Sequence, residues 1–354
     1  MNKARLKSSI DPLFSANHLT AVRWALAIAV VLGHVSLLTT GFEPLRIHDW
    51  TASYMAVNGF FVLSGLLIAK SLHSRRDIKA YALSRLLRIY PALVVVLVTF
   101  LFVFAPMFSA ENTSSVLEPG SWLYVIRVLI MGDPDSPTAQ IFSNNLMTDF
   151  NGPLWTIRFE LAAYILAGAA FTLGLVNGPW RSLFVFVIVQ VVYLSAPVFT
   201  DTDLLPQSVM PLLRLSSAFL VGMVLWHWPV LRKPPIWSIF GLLIGFAFFG
   251  SGPFGELIAT LSLSAIMLRI GLPKHASQRI AKMPDYSYGI YIWHYPILQA
   301  VLVALPALSP LVLGAAAAPI ILIIASVSWH FIEKPALTLK PTSSKKSAPS
   351  ESIA

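Results

Sequence analysis

The feature that most constrains this chain is the recurrence of long apolar runs. Apolar stretches, most of them roughly 17 to 25 residues and so long enough to cross the hydrocarbon core of a bilayer, follow one another along almost the whole sequence. They lie near 20–38, 55–72, 90–108, 153–175, 182–199, 211–228, 236–250, 254–271, 287–306 and 310–331. Composition agrees: 56% of the 354 residues are hydrophobic and only 12% are charged, where a soluble domain carries about a quarter charged residues. The expected fold class is therefore all-α, a polytopic membrane protein of about ten transmembrane helices whose solvent is lipid. The chain has no cysteine, which excludes disulfides, thiolate catalysis and cysteine metal sites.

The net charge of +9 would fit a nucleic-acid partner, but the cations fall in alternate loops, as topology signals do. No nucleic-acid partner is expected. The cytoplasmic loops read from charge are the amino-terminal cluster (Lys3, Arg5, Lys7), the 70–88 segment, Arg181, Arg232–Lys233, Lys274–Arg279–Lys282 and the tail with Lys340, Lys345 and Lys346. The opposite loops hold little beyond Arg46 and Arg127. An even number of spans then puts both termini in the cytoplasm. The first run contains Arg23 and His34, poor residues for a cleavable signal, so it reads as a retained anchor.

The expected organisation is a cytoplasmic segment 1–18, a membrane domain 19–335 and a disordered tail 336–354. The longest outer loop, 109–152, contains an apolar stretch from Trp122 to Met131. It is too short to span and is expected to form a re-entrant or interfacial helix. Gly241 and Gly245 form a GxxxG pattern that reads as a helix-packing contact. No dinucleotide-binding glycine pattern, P-loop or HExxH motif is present.

Ionisable groups inside the spans are expensive in lipid and are therefore functional candidates. Arg23 and His34 are eleven residues apart, almost three full helical turns, so they share one face about 16 Å apart along the axis. Two readings stand level on spacing alone. Arg23 snorkels to headgroups and His34 is a hydrogen-bonded core residue; or Arg23 fixes an anionic group entering from the cytoplasm and His34 is a base deeper in.

Arg85 and Arg88 in RLLRIYP share a helix face, where two guanidiniums can clamp phosphate oxygens; positive-inside topology is the plainer account. The NGFFVLSGLLI segment at 58–68 brings small residues into a span and permits close approach of another helix or a ligand. NGPLWTIRFE at 151–160 opens a helix and carries Arg158 and Glu160 into the membrane near its outer face. These two point in different directions, and Glu160 neutralises a cation on another helix, orients the histidine or makes a structural ion pair. In YSYGIYIWHYPI at 286–297, Tyr291 and His294 share a face; an aromatic belt competes with sugar contact as its meaning. His330, Glu333 and Pro335 read as a structural end to the last helix.

Together these segments resemble the acyltransferase-3 family of integral membrane acyltransferases, which modify bacterial surface glycans and related molecules. The resemblance rests on Arg23 and His34, the segments just quoted and HFIEKP at 330–335, and it covers nearly the whole chain. It implies O-acyl transfer, commonly acetyl, from cytoplasmic acyl-CoA to a carbohydrate acceptor, by a protein of the bacterial inner membrane. It makes His34 the catalytic histidine with Arg23 its companion, and Arg85 and Arg88 the CoA-phosphate site; Glu160 and Tyr288 match motif positions of the family. The expected site therefore takes Glu160 with the catalytic pair and Tyr288, Tyr291, His294 and Arg158 as substrate contacts. No metal is implied. The partners implied are the glycan or lipid-linked saccharide and membrane lipid; since the chain ends in a short polar tail where some relatives carry a hydrolase-like domain, transfer is either direct within the membrane or through a separate periplasmic protein. A flippase for a lipid-linked saccharide is the alternative from hydropathy and intramembrane charge. A glycosyltransferase using Asp133, Asp135 and Asp149 is a third.

Overall fold

A computed structural model describes residues 16–75, 77–109, 118–200 and 208–340. The amino-terminal basic cluster, Arg76 and the tail from Pro341 lie outside the described residues.

The architecture is all-helical apart from one small hairpin. Helix α1 (Leu19–Thr40) leads through strands β1 (Arg46–Ile47) and β2 (Trp50–Thr51) to α2 (Ala52–Arg75) and α3 (Ile78–Thr99). A π-helical turn, Phe100–Phe104, carries α3 on into α4 (Ala105–Phe108). The long loop contributes α5 (Pro119–Met131), and α6 (Trp155–Thr172), α7 (Pro179–Thr200), α8 (Val209–His227), α9 (Ile236–Phe249) and α10 (Gly252–Gly271) follow. A short turn, α11 (Gln278–Ala281), precedes α12 (Ser287–Ala304) and α13 (Pro310–Ser328), which continues through a second π-helical turn, Trp329–Glu333, into α14 (Lys334–Thr338).

Each of the ten expected segments is helical. Among the described residues, eight helices are long and apolar enough to cross a membrane. The two outside that set fail for different reasons. Helix α9 has 14 residues, about 21 Å of rise, short of a hydrocarbon core of about 30 Å. Helix α12 is 18 residues long but carries Tyr288, Tyr291, His294, Tyr295 and Gln299, and it is buried among the other helices rather than offered to lipid. The chain is a multi-pass integral membrane protein.

Burial follows from lipid as solvent. On α1 the face bearing Ala27, Val30 and Leu38 is buried, whereas Ile28 and Leu32 point outward. The centre of the fold is the pairing of α2 with α8 and the packing of α12 against α1 and α13. Small residues permit the first of these: a β-carbon on Gly65 would strike the Phe219 carbonyl, and one on Gly222 the Val62 carbonyl. This is the close approach read from the NGFFVLSGLLI segment. The GxxxG of α9 behaves otherwise. Gly245 makes ordinary contact with Ile258, and nothing stands within 4 Å of a β-carbon at Gly241, so that pattern is not a two-glycine packing seam.

The Trp122–Met131 stretch is indeed a short helix, α5, begun by Pro119 and stopped by Gly132 in the left-handed conformation (φ 64°). A side chain at Gly132 would meet the Arg158 backbone, which is how the outer loop is pressed onto the start of α6.

Candidate active site

The motif segments converge. A cavity of about 310 Å³ is lined by Arg23 of α1, Phe60 and Ser64 of α2, Arg85 and Arg88 of α3, Thr156, Glu160 and Tyr164 of α6, and Tyr288 and Tyr291 of α12. Leu337 and Lys340 from the end of the described chain close one side. Arg23 near the beginning of the first span and Lys340 beyond the last therefore meet at one end of the bundle.

The cations of this cavity are not equivalent. Asp285, in the loop before α12, takes Arg23 at 3.1 Å and Arg88 at 2.9 Å. Burial pushes the Asp285 carboxyl up, but the two guanidiniums and the Ser287 hydroxyl hold it down at about 2. Arg88 also meets Glu333 at 3.5 Å and lies over the Tyr288 ring, 5.6 Å from its centroid. Arg85 has no carboxylate within ion-pair distance among the described residues. It donates to the Ser84 hydroxyl at 3.3 Å and lies 5.7 Å from the Tyr164 ring centroid. Arg85 is thus the guanidinium best placed to accept an incoming anion, and the cavity fits a phosphate-bearing substrate there. Arg88 is already held by two carboxylates.

Glu160 also faces this cavity, accepting from the Tyr164 hydroxyl. It does not sit with Arg158. Arg158 turns away towards the outer loop, 3.7 Å from Asp133, and is 37% exposed; adjacent positions on a helix separated by two residues diverge by about 200°. Asp133 is held below the usual carboxylate range against the upward push of its partial burial, by the Arg127 guanidinium first and then by the Asp135 amide and Arg158. Arg158 is therefore not part of the assembled cluster.

His34 lies deeper. Its Nδ1 is 2.8 Å from Nε2 of His294, and the Tyr295 ring meets it edge-on at 5.5 Å. Arg23 and His34 thus both meet the 285–294 segment, as two residues on one helical face should. Arg23 lines the cavity and His34 does not. Tyr291 intervenes: its ring lines the cavity and lies 6.1 Å from the His294 ring, while its hydroxyl is tied to the Pro153 carbonyl at 3.0 Å and Thr156 at 2.8 Å. His34 is half-buried. Since Val30 and Leu38, one turn either side of it, are buried while the lipid face runs through Ile28 and Leu32, its open surface is internal. Towards the long outer loop, Tyr295 donates to Asp149 at 3.0 Å, and burial raises the Asp149 carboxyl.

Sequence reasoning had no hold on Asp285 or on Glu333 as an active-site acid. Glu333, read as a helix end, is 2% exposed; it is the last residue of the π-helical turn and lies 3.5 Å from Arg88. His294, grouped with substrate contacts, is wholly buried at 0% exposure. Tyr288 lines the cavity but its hydroxyl is spent on the Ile89 carbonyl at 2.9 Å. No three His, Asp or Glu side chains converge to hold a metal ion among the described residues.

Comparison with known proteins fits this arrangement. No solved structure matches the chain. It is 28% identical over 344 residues, 92% of its length and 97% of the relative's, to an O-acetyl transferase of Shigella phage Sf6. It is 31% identical over 153 residues to the acyltransferase MdmB of Streptomyces mycarofaciens, a match covering 42% of this chain and 37% of that one. The acyltransferase-domain model of the acyltransferase 3 family matches residues 17–330. A helical membrane domain with its arginines gathered at one cavity, and this family match along most of its length, lead to one conclusion: the chain belongs to the acyltransferase 3 family and is a membrane acyltransferase.

Proposed function

We propose that the protein transfers an acetyl group from cytoplasmic acetyl-CoA to a hydroxyl of a surface or lipid-linked carbohydrate, with His34 as the group that meets that hydroxyl. The observation that carries this reading is the division of labour around Tyr291. On one side lies a cavity with a guanidinium, Arg85, that has no carboxylate within ion-pair distance among the described residues and is suited to a phosphate-bearing donor. On the other lies a histidine whose open surface is internal. The relative from phage Sf6, similar over nearly its whole length, supports acetyl as the group and oxygen as the acceptor atom.

In this reading the protein sits in the bacterial inner membrane with the Arg23–Arg85–Lys340 end in the cytoplasm, along with both termini. The basic residues at that end favour this side. Arg85 holds a donor phosphate, and Arg23 and Arg88, fixed by Asp285, shape the entrance. Tyr291 must give way for the thioester to reach His34. The acceptor hydroxyl loses its proton to His34, its oxygen bonds to the acetyl carbon, the carbon–sulfur bond breaks, and the thiolate takes the proton back from His34. An acetyl-histidine formed first, and then attacked by the hydroxyl, uses the same nitrogen.

The test is mass spectrometry of surface glycans from cells expressing the wild type or His34→Ala at equal membrane abundance. The wild type should add one acetyl mass that the variant lacks; an equal acetyl content in both would remove His34 from the chemistry. Saccharide transport without acetyl transfer, which hydropathy alone permitted, would leave glycan mass unchanged in the wild type as well.

A further inference from the structure

We infer that His294 is a positioning residue that fixes the tautomer of His34, so that Nε2 of His34 is the reactive nitrogen. This rests on the reading of His34 as the group that meets the acceptor, and holds equally for a base and for a transient acetyl carrier.

Nδ1 of His294 lies 2.7 Å from the carbonyl oxygen of Tyr291 and 3.1 Å from that of Ile290. A carbonyl oxygen only accepts, so Nδ1 of His294 carries a proton. In a neutral imidazole the other nitrogen then holds a lone pair. That nitrogen, Nε2 of His294, faces Nδ1 of His34 at 2.8 Å. Two lone pairs would repel at that distance, so the proton between the rings belongs to Nδ1 of His34. Nε2 of His34 is left as the unprotonated nitrogen.

Ring geometry supports this chain of donors. The two imidazole planes are inclined by only 7° with centroids 5.1 Å apart. With their nearest nitrogens at 2.8 Å, the rings lie edge to edge in nearly one plane, the orientation of an N–H aimed along a ring lone pair. Helix α12 supplies the anchor. His294 is an interior residue of that helix, 0% exposed, and has no open surface with which to touch a sugar.

The consequence for chemistry is directional. When Nε2 of His34 takes a proton, the ring becomes a cation whose Nδ1–H still donates to His294. His294 in turn rests its own N–H on a carbonyl, so the cation faces the negative end of an oriented dipole. Without His294, Nδ1–H of His34 loses the one acceptor it has among the described residues, and the ring is free to carry its proton on Nε2, the wrong tautomer for the reaction. Loss of the partner that fixes a catalytic histidine's tautomer is costly in serine proteases, by about 10⁴-fold in kcat; a ring–ring bond without formal charge should matter less.

The experiment uses the full-length protein in native membranes, with radiolabelled acetyl-CoA as donor and the glycolipid and surface-glycan fraction of the same cells as acceptor, read as alkali-released acetate. His34→Ala, His294→Phe and His294→Gln are compared at equal membrane abundance. His34→Ala should abolish transfer. His294→Phe should lower the maximal rate about 100-fold with the KM for acetyl-CoA unchanged. His294→Gln, whose amide oxygen can accept from Nδ1–H of His34, should stay within about 10-fold of the wild type. Solid-state nitrogen NMR of histidine-labelled wild type should show Nδ1 of His34 protonated and Nε2 bare. An inactive His34→Ala beside a fully active His294→Phe, a His294→Phe defect confined to KM, or a proton on Nε2 of His34 would overturn the inference. An active His34→Ala would instead remove the reading on which it rests.

Discussion

Two buried clusters of charge sit in this bundle, and they are built to opposite ends. In the first, Arg214 of α8 and Glu256 of α10 are 7% and 2% exposed and pair directly with each other at the edge of a second cavity, although one Arg214 nitrogen, Nη2, has no hydrogen-bond partner. Glu256 is 3.4 Å from the Arg214 Nε and accepts from Asn58 at 2.7 Å, from Tyr54 at 3.2 Å and from Tyr193. Arg214 donates to Asn58 Oδ1 at 3.1 Å and lies over the Tyr54 ring, 3.5 Å from its centroid. In the second, three arginines face one cavity, and the carboxylate of Asp285 and that of Glu333 engage only Arg23 and Arg88. Arg85 has no carboxylate within ion-pair distance among the described residues, and the Glu160 carboxyl of the same cavity is the acid that feels its charge. Both clusters line a cavity; the difference is that Arg214 sits 3.4 Å from its carboxylate, whereas Arg85 makes no direct ion pair. In a low-dielectric bundle a cation without a contacting carboxylate costs more to keep, which is why Arg85 points to function.

The largest effect expected from this contrast is on folding. Glu256→Ala leaves Arg214 charged and unpaired among α2, α8 and α10, and should destabilise the protein by about 3–5 kcal/mol. Thermal unfolding in detergent measures this, and replacing the pair together by Met and Leu should recover much of it. An intact Glu256→Ala protein with lost activity would make the cluster catalytic and erase the distinction.

Next comes Arg85→Ala. It should raise the KM for acetyl-CoA about 10-fold, the loss of a hydrogen bond to a charged group, while the unfolding temperature stays unchanged. Arg88→Ala is expected to lower stability as well, because it takes the ion-pair partner from Glu333 and leaves Asp285 with Arg23 alone. If both variants behaved alike, the asymmetry between the two arginines would be wrong.

A smaller effect concerns acid. Because the folded Asp285 carboxyl is held at about 2, below its ordinary 3.8, its contribution to stability is fully present above about pH 4 and is lost as the pH falls towards 2. Asp285→Asn should remove this one step from an acid-unfolding profile and leave the profile above pH 4 flat by comparison. The smallest effect belongs to Arg158. Its half-exposed pairing with Asp133 is worth under about 1 kcal/mol, and Arg158→Ala should leave acetyl transfer within about 2-fold.

Much of the fold was legible because lipid imposes a length on each helix, and run length survives even where periodicity is weak. All ten expected segments are helical, and only α9, too short, and α12, too polar, stand apart from the spans. The site was partly legible. Arg23, Arg85, Arg88, Glu160, Tyr288 and Tyr291 line one cavity; spacing predicted that Arg85 and Arg88 share a face, but Glu160, read as lying near the outer face beside His34, instead joins the arginines. What spacing cannot give is the partner on another helix. Arg88 and Asp285 are 197 residues apart, and Asn58 and Glu256 are 198 apart, so neither pair leaves a local pattern. Nor does local pattern tell the direction in which a buried ring is used: His294 shares a helix face with Tyr291, yet it turns its nitrogen to another histidine rather than to the cavity.

The central claim is that donor binding and chemistry occupy opposite sides of Tyr291. It is tested most directly by titrating acetyl-CoA into purified wild type, His34→Ala and Arg85→Ala in detergent, and measuring acetyl transfer in the same preparations. The account predicts that His34→Ala binds acetyl-CoA like the wild type but transfers nothing, whereas Arg85→Ala binds about 10-fold more weakly. Loss of acetyl-CoA binding in His34→Ala, or undiminished binding in Arg85→Ala, would contradict it.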